Sequence, residues 1–147
     1  MWSILSIGHK DPQWVQQALE HYNKLLKPSF KIKYINCNAN TSNKNQEENQ
    51  TLLKKIPKNH YIIGLDSQGE QLCSKSFAKN INNILLNNSK ICFIIGGAYG
   101  LNTEVKNKCN TLWSLSELTF AHKIVKIILA EQLYRSYCIL NQHPYHK

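Results

Sequence analysis

The run of five apolar residues from Ile91 to Ile95 is the feature that most constrains how this chain folds. A strand with one face in water alternates polar and apolar residues, and this run carries no polar residue. Strands of that kind lie in parallel sheets that helices cover on both faces. Gly96 and Gly97 follow directly, so we expect a tight turn at the carboxyl end of the strand. The run therefore predicts an α/β domain with a largely parallel sheet flanked by helices.

Periodic patterns on either side predict the remaining elements. The stretch from Ser3 to Ile7 predicts a first strand, and Asp11 with Pro12 is typical of a helix start, with Asp11 as the N-cap. Apolar residues at three- and four-residue steps give that helix a buried face, made of Trp14, Val15, Ala18, Leu19, Tyr22, Leu25 and Leu26. The next predicted elements are a strand over 30–35, a loop over 37–49, a short helix over 47–56, and a strand over 61–65 that is followed by a turn over 66–69. A helix capped by Ser74 is then expected to end near Leu86. The last predicted elements are a short helix over 101–110, an extended or looped segment over 112–120 and a long helix from His122 to Ile139. Because the chain shows no internal repeat and no linker, we expect one domain over residues 1–147.

The charge balance favours a polyanionic partner. Lys and Arg total 18 against 9 acidic residues, which gives a net charge of +9. A small basic domain is attracted to nucleic acid, although a chain rich in Lys, Asn and Ile and poor in Arg also follows from AT-rich coding. No apolar run approaches the roughly 20 residues that span a bilayer, and no basic segment precedes the apolar start. We therefore expect a cytoplasmic protein that has no membrane partner.

The cysteine pattern indicates neither a disulfide framework nor a metal site. The chain has five cysteines, an odd number: Cys37, Cys73, Cys92, Cys109 and Cys138. No two of them stand at the spacing of metal ligands, and Cys92 and Cys138 lie in apolar stretches. We expect buried free thiols in a reducing compartment and no bound metal.

The segment from Gly96 to Gly100 is suited to hold a small molecule against main-chain amides. It follows the most apolar strand, and ligands of α/β sheets lie beyond the carboxyl ends of the strands. It is not a P-loop, because no Lys-Ser or Lys-Thr follows, and it lacks the Gly-x-Gly-x-x-Gly fingerprint of dinucleotide sites. Taken alone, the pattern also fits a tight strand-to-helix turn with no ligand.

Four segments in order carry a resemblance to a known family: Ile94 to Leu101, Trp113 to His122, Leu129 to Tyr137, and His143 to Lys147. Together they resemble the bacterial ribosomal RNA large-subunit methyltransferase H family of the SPOUT superfamily. The resemblance implies a SPOUT-type α/β knot, in which the chain forms a deep trefoil, and a homodimer. It also implies S-adenosylmethionine (SAM)-dependent methylation of N3 of a pseudouridine in 23S ribosomal RNA, on the assembled ribosome and with both subunits sharing the work.

The resemblance also implies which residues bind SAM. The family's contacts correspond to positions after a strand, in the Gly-rich turn and in one loop, namely Leu65, Gly96, Leu115, Ser116, Glu117, Leu118, Thr119 and Phe120. Glu117 is expected to contribute its backbone more than its carboxylate. The chain departs from the family pattern at Tyr99, where acidic or amide residues are common, and at Ala121, where proline is common. The second departure puts the rigidity of the loop in doubt, because proline fixes φ.

Three residues near the C-terminus are the candidates for catalysis. His146 can exchange a proton near neutral pH, and Tyr145 can stack on a base, so we expect both at the target-base end. Arg135 can hold a phosphate or a base edge. The alternatives are an ordinary terminal tail and a surface ion pair between Arg135 and Glu131. His122 is either a packing or capping residue at a helix start or a general base.

Lysines near this segment predict contacts with the RNA backbone. Lys123 and Lys126, with Lys147, would follow phosphates without reading sequence. Three other functions stay open at this point: methylation of tRNA by the same fold, an RNA-binding or assembly factor without catalysis, and a nucleotide-binding Rossmann enzyme, which the missing fingerprint disfavours.

Overall fold

A computed structural model describes residues 2–38 and 44–147, with only the backbone described at positions 44 and 45. The strands are β1 (Trp2–Ile7), β2 (Ile32–Cys37), β3 (Tyr61–Gln71), β4 (Ile91–Ile95) and β5 (Thr111–Ser114). The α-helices are α1 (Gln13–Leu25), α2 (Lys44–Lys55), α3 (Ser74–Asn87), α4 (Thr103–Lys108) and α5 (His122–Leu140), and a short 3-10 turn covers Pro28–Phe30.

The strands form one sheet in the order β2-β1-β4-β3-β5, and each adjacent pair is parallel. The prediction of a parallel α/β sheet is confirmed, and the observed bounds of β4 are the predicted ones. All five residues of β4 are buried because β1 and β3 flank it and side chains cover both of its faces. Parallel strands share a carboxyl edge, so the segments after β4 and β5 meet there with the part of β3 that continues beyond its pairing with β4.

Helices cover the two faces of the sheet. On one face, α1, α3 and α5 cover a core that includes Trp2, Phe93 and Trp113. On the other face, α2 and α4 pack over a smaller core that includes Leu52 and Ile94. Burial of each such large apolar side chain stabilises the fold by about 1.5–3 kcal/mol. The uninterrupted apolar run of β4 is thus explained by helices on both sides.

Strand β3 is longer than predicted. The sequence favours a turn over 66–69, but the strand continues to Gln71 and its register against β5 shifts between Leu65 and Glu70. A bulge therefore absorbs the residues of the predicted turn. At Gly69 an added Cβ would lie 2.7 Å from the backbone nitrogen of Trp113, so only glycine allows β5 to approach this closely.

Asp11 is not a helix cap. Helix α1 begins at Gln13 without a side-chain cap, and the Asp11 carboxylate instead lies 2.8 Å from Nζ of Lys126 and 2.8 Å from Nζ of Lys123. Burial favours a raised pKa for Asp11, but hydrogen bonds from Lys123, Lys126 and Asn36 outweigh it and lower the pKa to about 2. Lys126 is 1% exposed. The prediction that Lys126 follows RNA phosphates is therefore wrong, because its buried ammonium binds Asp11 and ties α5 to the segment after β1. Lys123 also binds Asp11, and its contact with RNA stays a prediction.

Other local predictions also need correction. The helical periodicity predicts that Trp14 and Leu25 lie on the buried face of α1, but they are 53% and 46% exposed. Helix α2 begins at Lys44, so it occupies part of the predicted loop over 37–49, and residues 39–43 of that loop lie outside the described residues.

The five cysteines are free thiols, as predicted, but they are not all buried. Cys73 is exposed and takes the N-cap position of α3 in place of Ser74, with Sγ accepting a hydrogen bond from the Ser76 backbone nitrogen at 3.5 Å. Within residues 2–38 and 44–147, no helix is long and apolar enough to cross a membrane.

Candidate functional site

A cavity of about 510 Å³ opens at the carboxyl edge of the sheet, where β4 and β5 end and where β3 stops pairing with β4. Its walls are β3 from Leu65 to Ser67, the Gly-rich turn after β4, the loop after β5 and the first turn of α5. All of the predicted cofactor residues line it: Leu65, Gly96, Leu115, Ser116, Glu117, Leu118, Thr119 and Phe120. The parallel topology brings these separate segments of the chain to one place.

The Gly-rich turn closes on itself. The backbone nitrogen of Gly100 donates to the carbonyl of Gly97 at 3.0 Å, and Gly100 has a φ of 72°, in the left-handed region. A Cβ on Gly96 would lie 2.8 Å from the carbonyl carbon of Gly100. Glycine is thus required at position 96 for the shape of the turn itself. Tyr99 is 64% exposed and is not a lining residue, so this departure from the family pattern leaves the cavity wall unchanged.

The loop over 115–120 is braced by serine side chains. Oγ of Ser114 donates to the carbonyl of Ser116 at 3.0 Å, and Oγ of Ser116 accepts from the backbone nitrogen of Leu118 at 3.0 Å. Ala121 has φ −57° and ψ 139°, a conformation that proline also adopts. Ala121 therefore keeps the backbone path that the family's proline would take, and the serines stabilise the loop that precedes it.

Several lining residues were not predicted. Asp66 and Ser67 follow the paired start of β3, and Asp66 is held by Lys106 at 3.2 Å and by the backbone nitrogen of Gln68 at 2.9 Å. Their position directly after Leu65 was the available signal, because ligands lie beyond strand ends.

His122 also lines the cavity. Ala121 occupies the N-cap position of α5 and has no capping side chain, so the capping interpretation of His122 is wrong. Nε2 of His122 is buried without a hydrogen-bond partner among the described residues. Burial, reinforced by the charges of Lys123 and Lys126, lowers the pKa of His122 and favours the neutral imidazole.

The predicted catalytic residues form a second group, the tail cluster, which consists of Glu131, Arg135, Tyr145 and His146. Nη1 of Arg135 lies 3.1 Å from Nδ1 of His146, and Nε of Arg135 donates to Glu131 at 3.0 Å. The Tyr145 hydroxyl donates to the same Glu131 oxygen at 3.0 Å, and the Arg135 guanidinium lies 4.8 Å from the centre of the Tyr145 ring. The ion pair with Glu131 is therefore present, and it belongs to a larger network.

The C-terminal segment is not an unstructured tail. The backbone nitrogen of His143 donates to the carbonyl of Cys138 at 2.8 Å, which turns the chain back along α5. The Tyr145 ring packs edge-on against Tyr134 at 4.8 Å. Burial and the hydrogen bond to Glu131 raise the pKa of Tyr145 to about 12, so its hydroxyl keeps its proton at neutral pH.

The two groups of residues lie at different positions along α5. Val125 lines the cavity and Arg135 belongs to the tail cluster, a separation of about 15 Å along the helix at 1.5 Å per residue. The structure thus brings the predicted cofactor residues together and the predicted catalytic residues together, but it does not bring the two groups into contact within one chain.

Comparison with known proteins identifies the family. The family described as "Predicted SPOUT methyltransferase" matches residues 1–146. The chain belongs to the SPOUT methyltransferase family. Proteins named "Ribosomal RNA large subunit methyltransferase H" are similar over nearly the whole chain. The one from Legionella pneumophila (strain Lens) is 38% identical over 99% of this chain and 97% of its own length. The one from Acholeplasma laidlawii (strain PG-8A) is 37% identical over 98% of this chain and 97% of its own length.

A solved structure supports the fold. It is described as a probable methylase family protein from Haemophilus influenzae Rd KW20, and it superimposes with a TM-score of 0.59 over 99% of this chain and 70% of its own. At 12% identity, this likeness concerns the fold alone. Because a SPOUT methyltransferase requires a methyl donor, the cavity at the carboxyl edge is the candidate site for that cofactor.

Proposed function

We propose that this protein is a SAM-dependent methyltransferase that methylates N3 of a pseudouridine in 23S ribosomal RNA. The observation that carries the proposal is the cavity at the carboxyl edge, which all of the predicted cofactor residues line. The relatives named ribosomal RNA large subunit methyltransferase H, at 31–38% identity, support the choice of substrate.

The lining residues fit SAM. Leu65, Ile95 and Leu115 supply apolar surface for an adenine ring, and the two loops bring backbone amides and carbonyls to its edge. Asp66 and Ser67 place polar groups where a ribose needs partners. When bound, SAM supplies an electrophilic methyl group on a positively charged sulfur. The protein is left to hold the acceptor in line and to receive its proton.

The tail cluster suits the handling of the base. Because an arginine always donates, His146 accepts at Nδ1 and carries its proton on Nε2, so His146 is arranged as a hydrogen-bond donor to a base carbonyl. The protonated Tyr145 offers an aromatic face. Arg135 orients both residues through its contacts with the imidazole and the ring. We expect these three residues to bind and orient the target base.

The proton on N3 must leave as the N3–carbon bond forms and the carbon–sulfur bond breaks. His122 is the candidate to receive it, because this residue lines the cavity and burial favours its neutral imidazole. The transfer then leaves a neutral thioether, a methylated base and an imidazolium. His122 is therefore the proposed general base.

We further infer a homodimer with a trefoil-knotted chain in the cytoplasm. Trp14, Leu118 and Ile124 are large apolar residues with exposures of 53%, 72% and 37%, and a dimer would cover such surface. Light scattering of the wild type should give twice the monomer mass, and Trp14→Glu should lower it; a monomeric wild type would contradict the dimer. A chain cyclised through its ends should migrate as a knotted ring in denaturing electrophoresis.

The substrate is tested with ribosomes from a strain in which this gene is deleted. Mass spectrometry of 23S rRNA should show the loss of one methyl group on a pseudouridine, and the purified protein with SAM should restore it on 70S particles. If the rRNA keeps that methyl group and a tRNA loses one, the proposed substrate is wrong. If the protein binds no SAM in calorimetry, the enzyme assignment itself fails.

A further inference from the structure

A second cavity, of about 360 Å³, adjoins the cofactor cavity. The two share Ser114 and Leu115 as a common wall. Phe77 and Trp113, which are 4% and 3% exposed, form an apolar part of its lining. A molecule in this second cavity would therefore adjoin the cofactor cavity and lie against aromatic rings.

One wall of the second cavity is polar and connects to the tail cluster. Oγ of Ser74 donates to Oε1 of Gln132 at 2.8 Å, and Nε2 of Gln132 donates to Oε2 of Glu131 at 2.7 Å. Glu131 in turn binds Arg135 and Tyr145. A continuous hydrogen-bond chain thus leads from this wall to the predicted catalytic residues.

Helix α5 arranges the three parts in sequence. Residues three or four apart lie on one face of a helix. One face of α5 carries, in order, Val125, Ile128, Gln132 and Arg135. Val125 lines the cofactor cavity, Ile128 and Gln132 line the second cavity, and Arg135 belongs to the tail cluster. The second cavity therefore occupies the space between the cofactor and the tail cluster, which otherwise lie about 15 Å apart.

We propose that the second cavity receives the target base, turned out of its RNA stack. This inference rests on the proposed function. Methyl transfer requires donor and acceptor atoms about 3–3.5 Å apart, so the base must lie in a space that touches the cofactor cavity. A stacked base in a folded RNA reaches such a space by flipping, and its flat faces pack on apolar and aromatic side chains.

The polar wall also accounts for the choice between pseudouridine and uridine. Pseudouridine carries a hydrogen on N1, whereas N1 of uridine is bonded to the sugar. The Ser74 hydroxyl and the Gln132 carbonyl each retain a lone pair that can accept from that N1–H. A site built to bond a polar group rejects the analogue that lacks it. Ser74 and Gln132 are thus assigned to recognition of the base.

Cys73 provides a chemical test, because it lines the second cavity and is exposed. Hydrogen bonds from Ser76 lower the pKa of Cys73, which favours reaction with N-ethylmaleimide at neutral pH. Burial raises the pKa of Cys109 to about 11 and the other three thiols are buried, so Cys73 should react first. Mass spectrometry checks that one adduct forms at Cys73.

Alkylated protein should keep its affinity for SAM within twofold and lose at least 20-fold in kcat/KM for unmethylated ribosomes. In Cys73→Ser, the ratio of treated to untreated activity should stay at one. Retained methyl transfer in the alkylated protein would overturn the proposal, and so would a loss of SAM binding, which would assign the cavity to the cofactor. If untreated protein methylates no pseudouridine in 23S rRNA, the proposed function has failed instead.

A second measurement tests recognition. Ser74→Ala and Gln132→Leu should reduce the preference for ribosomes that carry pseudouridine over ribosomes that carry uridine at the target position by at least tenfold. SAM affinity should stay within twofold, which separates this effect from a folding defect. An unchanged preference in both variants would show that the wall does not read N1–H.

Discussion

The cofactor cavity and the tail cluster lie along the same helix, yet they are built in opposite ways. The cavity is shaped by backbone: a self-closing glycine turn and a loop braced by Ser114 and Ser116. The tail cluster is made of side chains, with Glu131 binding both Arg135 and Tyr145. A backbone site tolerates side-chain replacement but not the loss of a glycine, whereas a side-chain network depends on the identity of each member.

The departures from the family pattern illustrate this difference. Tyr99 and Ala121 both stand in cavity segments, and neither disturbs the site, since one side chain is exposed and the other residue keeps a proline-like backbone. In the tail cluster, Arg135 makes contacts in three directions, which only a planar guanidinium can satisfy together. The two regions should therefore respond to mutation in separable ways.

Deletion of residues 145–147 should have the largest effect. It removes two members of the tail cluster, so methyl transfer should fall by roughly 1000-fold, as expected when groups that orient the base are lost. SAM affinity should stay within twofold because the cavity lies elsewhere on α5. Calorimetry and a methyl-transfer assay measure the two quantities, and equal losses would show that the tail belongs to the cofactor site or to the fold.

Gly96→Val should produce the opposite pattern. The added side chain would meet the backbone at Gly100, and a strain of about 1–3 kcal/mol corresponds to a loss in SAM affinity of up to about 100-fold. Tyr99→Ala, in the same turn but exposed, serves as the control and should bind SAM normally. Near-normal SAM affinity in the valine variant would remove the turn from the binding site.

The variant His122→Gln tests whether the general base belongs to the cofactor cavity or to the tail cluster. The active form of His122 is neutral and its pKa is lowered, so wild-type kcat should fall as the pH drops through a value below 6.5. Replacement should reduce kcat by about 100-fold and remove that acid limb. If the acid limb of the pH profile persists in His122→Gln and disappears in His146→Gln, the general base belongs to the tail cluster.

Asp11→Asn should have the smallest effect on activity, and its effect on stability should be large. It leaves Lys126 buried without its carboxylate, which costs about 3 kcal/mol in the free energy of unfolding. Because the pKa of Asp11 is lowered from 3.8 to about 2, its contribution is complete above about pH 4 and disappears as the pH falls toward 2. Urea titrations of the wild type and Asp11→Asn should give free energies of unfolding that converge as the pH is lowered from about 4 toward 2. A difference that stays constant over this range would contradict the linkage.

The sequence predicts correctly those elements whose bounds depend on the residues of the element itself. The bounds of β4 follow from an unbroken apolar run, and the start of α5 at His122 follows from its helical periodicity. The cofactor residues required the resemblance, because nothing local distinguishes Leu65 or the loop over 115–120 from other strand ends. Their convergence became visible only when the parallel order of the strands was known.

The features that were missed depend on contacts between distant residues. Asp11 looked like a cap because its partner Lys126 lies far along the chain. The bulge in β3 depends on the approach of β5 at Gly69. Cys73 and Ser74 are both able to cap α3, and the thiol of Cys73 takes that position. Local propensity carries no information on any of these.

The position of β4 has a consequence for how the chain folds. Trp2 and Tyr61 both pair with Ile91, so the central strand is inserted between two strands that precede it in the chain. Pairings between residues so far apart in sequence form slowly, because loop closure must come first. The Gly-rich turn exists only after this insertion, and the loop over 115–120 is added later still in the sequence. The ability to bind a cofactor should therefore appear last during refolding, so the recovery of ligand binding would report when the fold is complete.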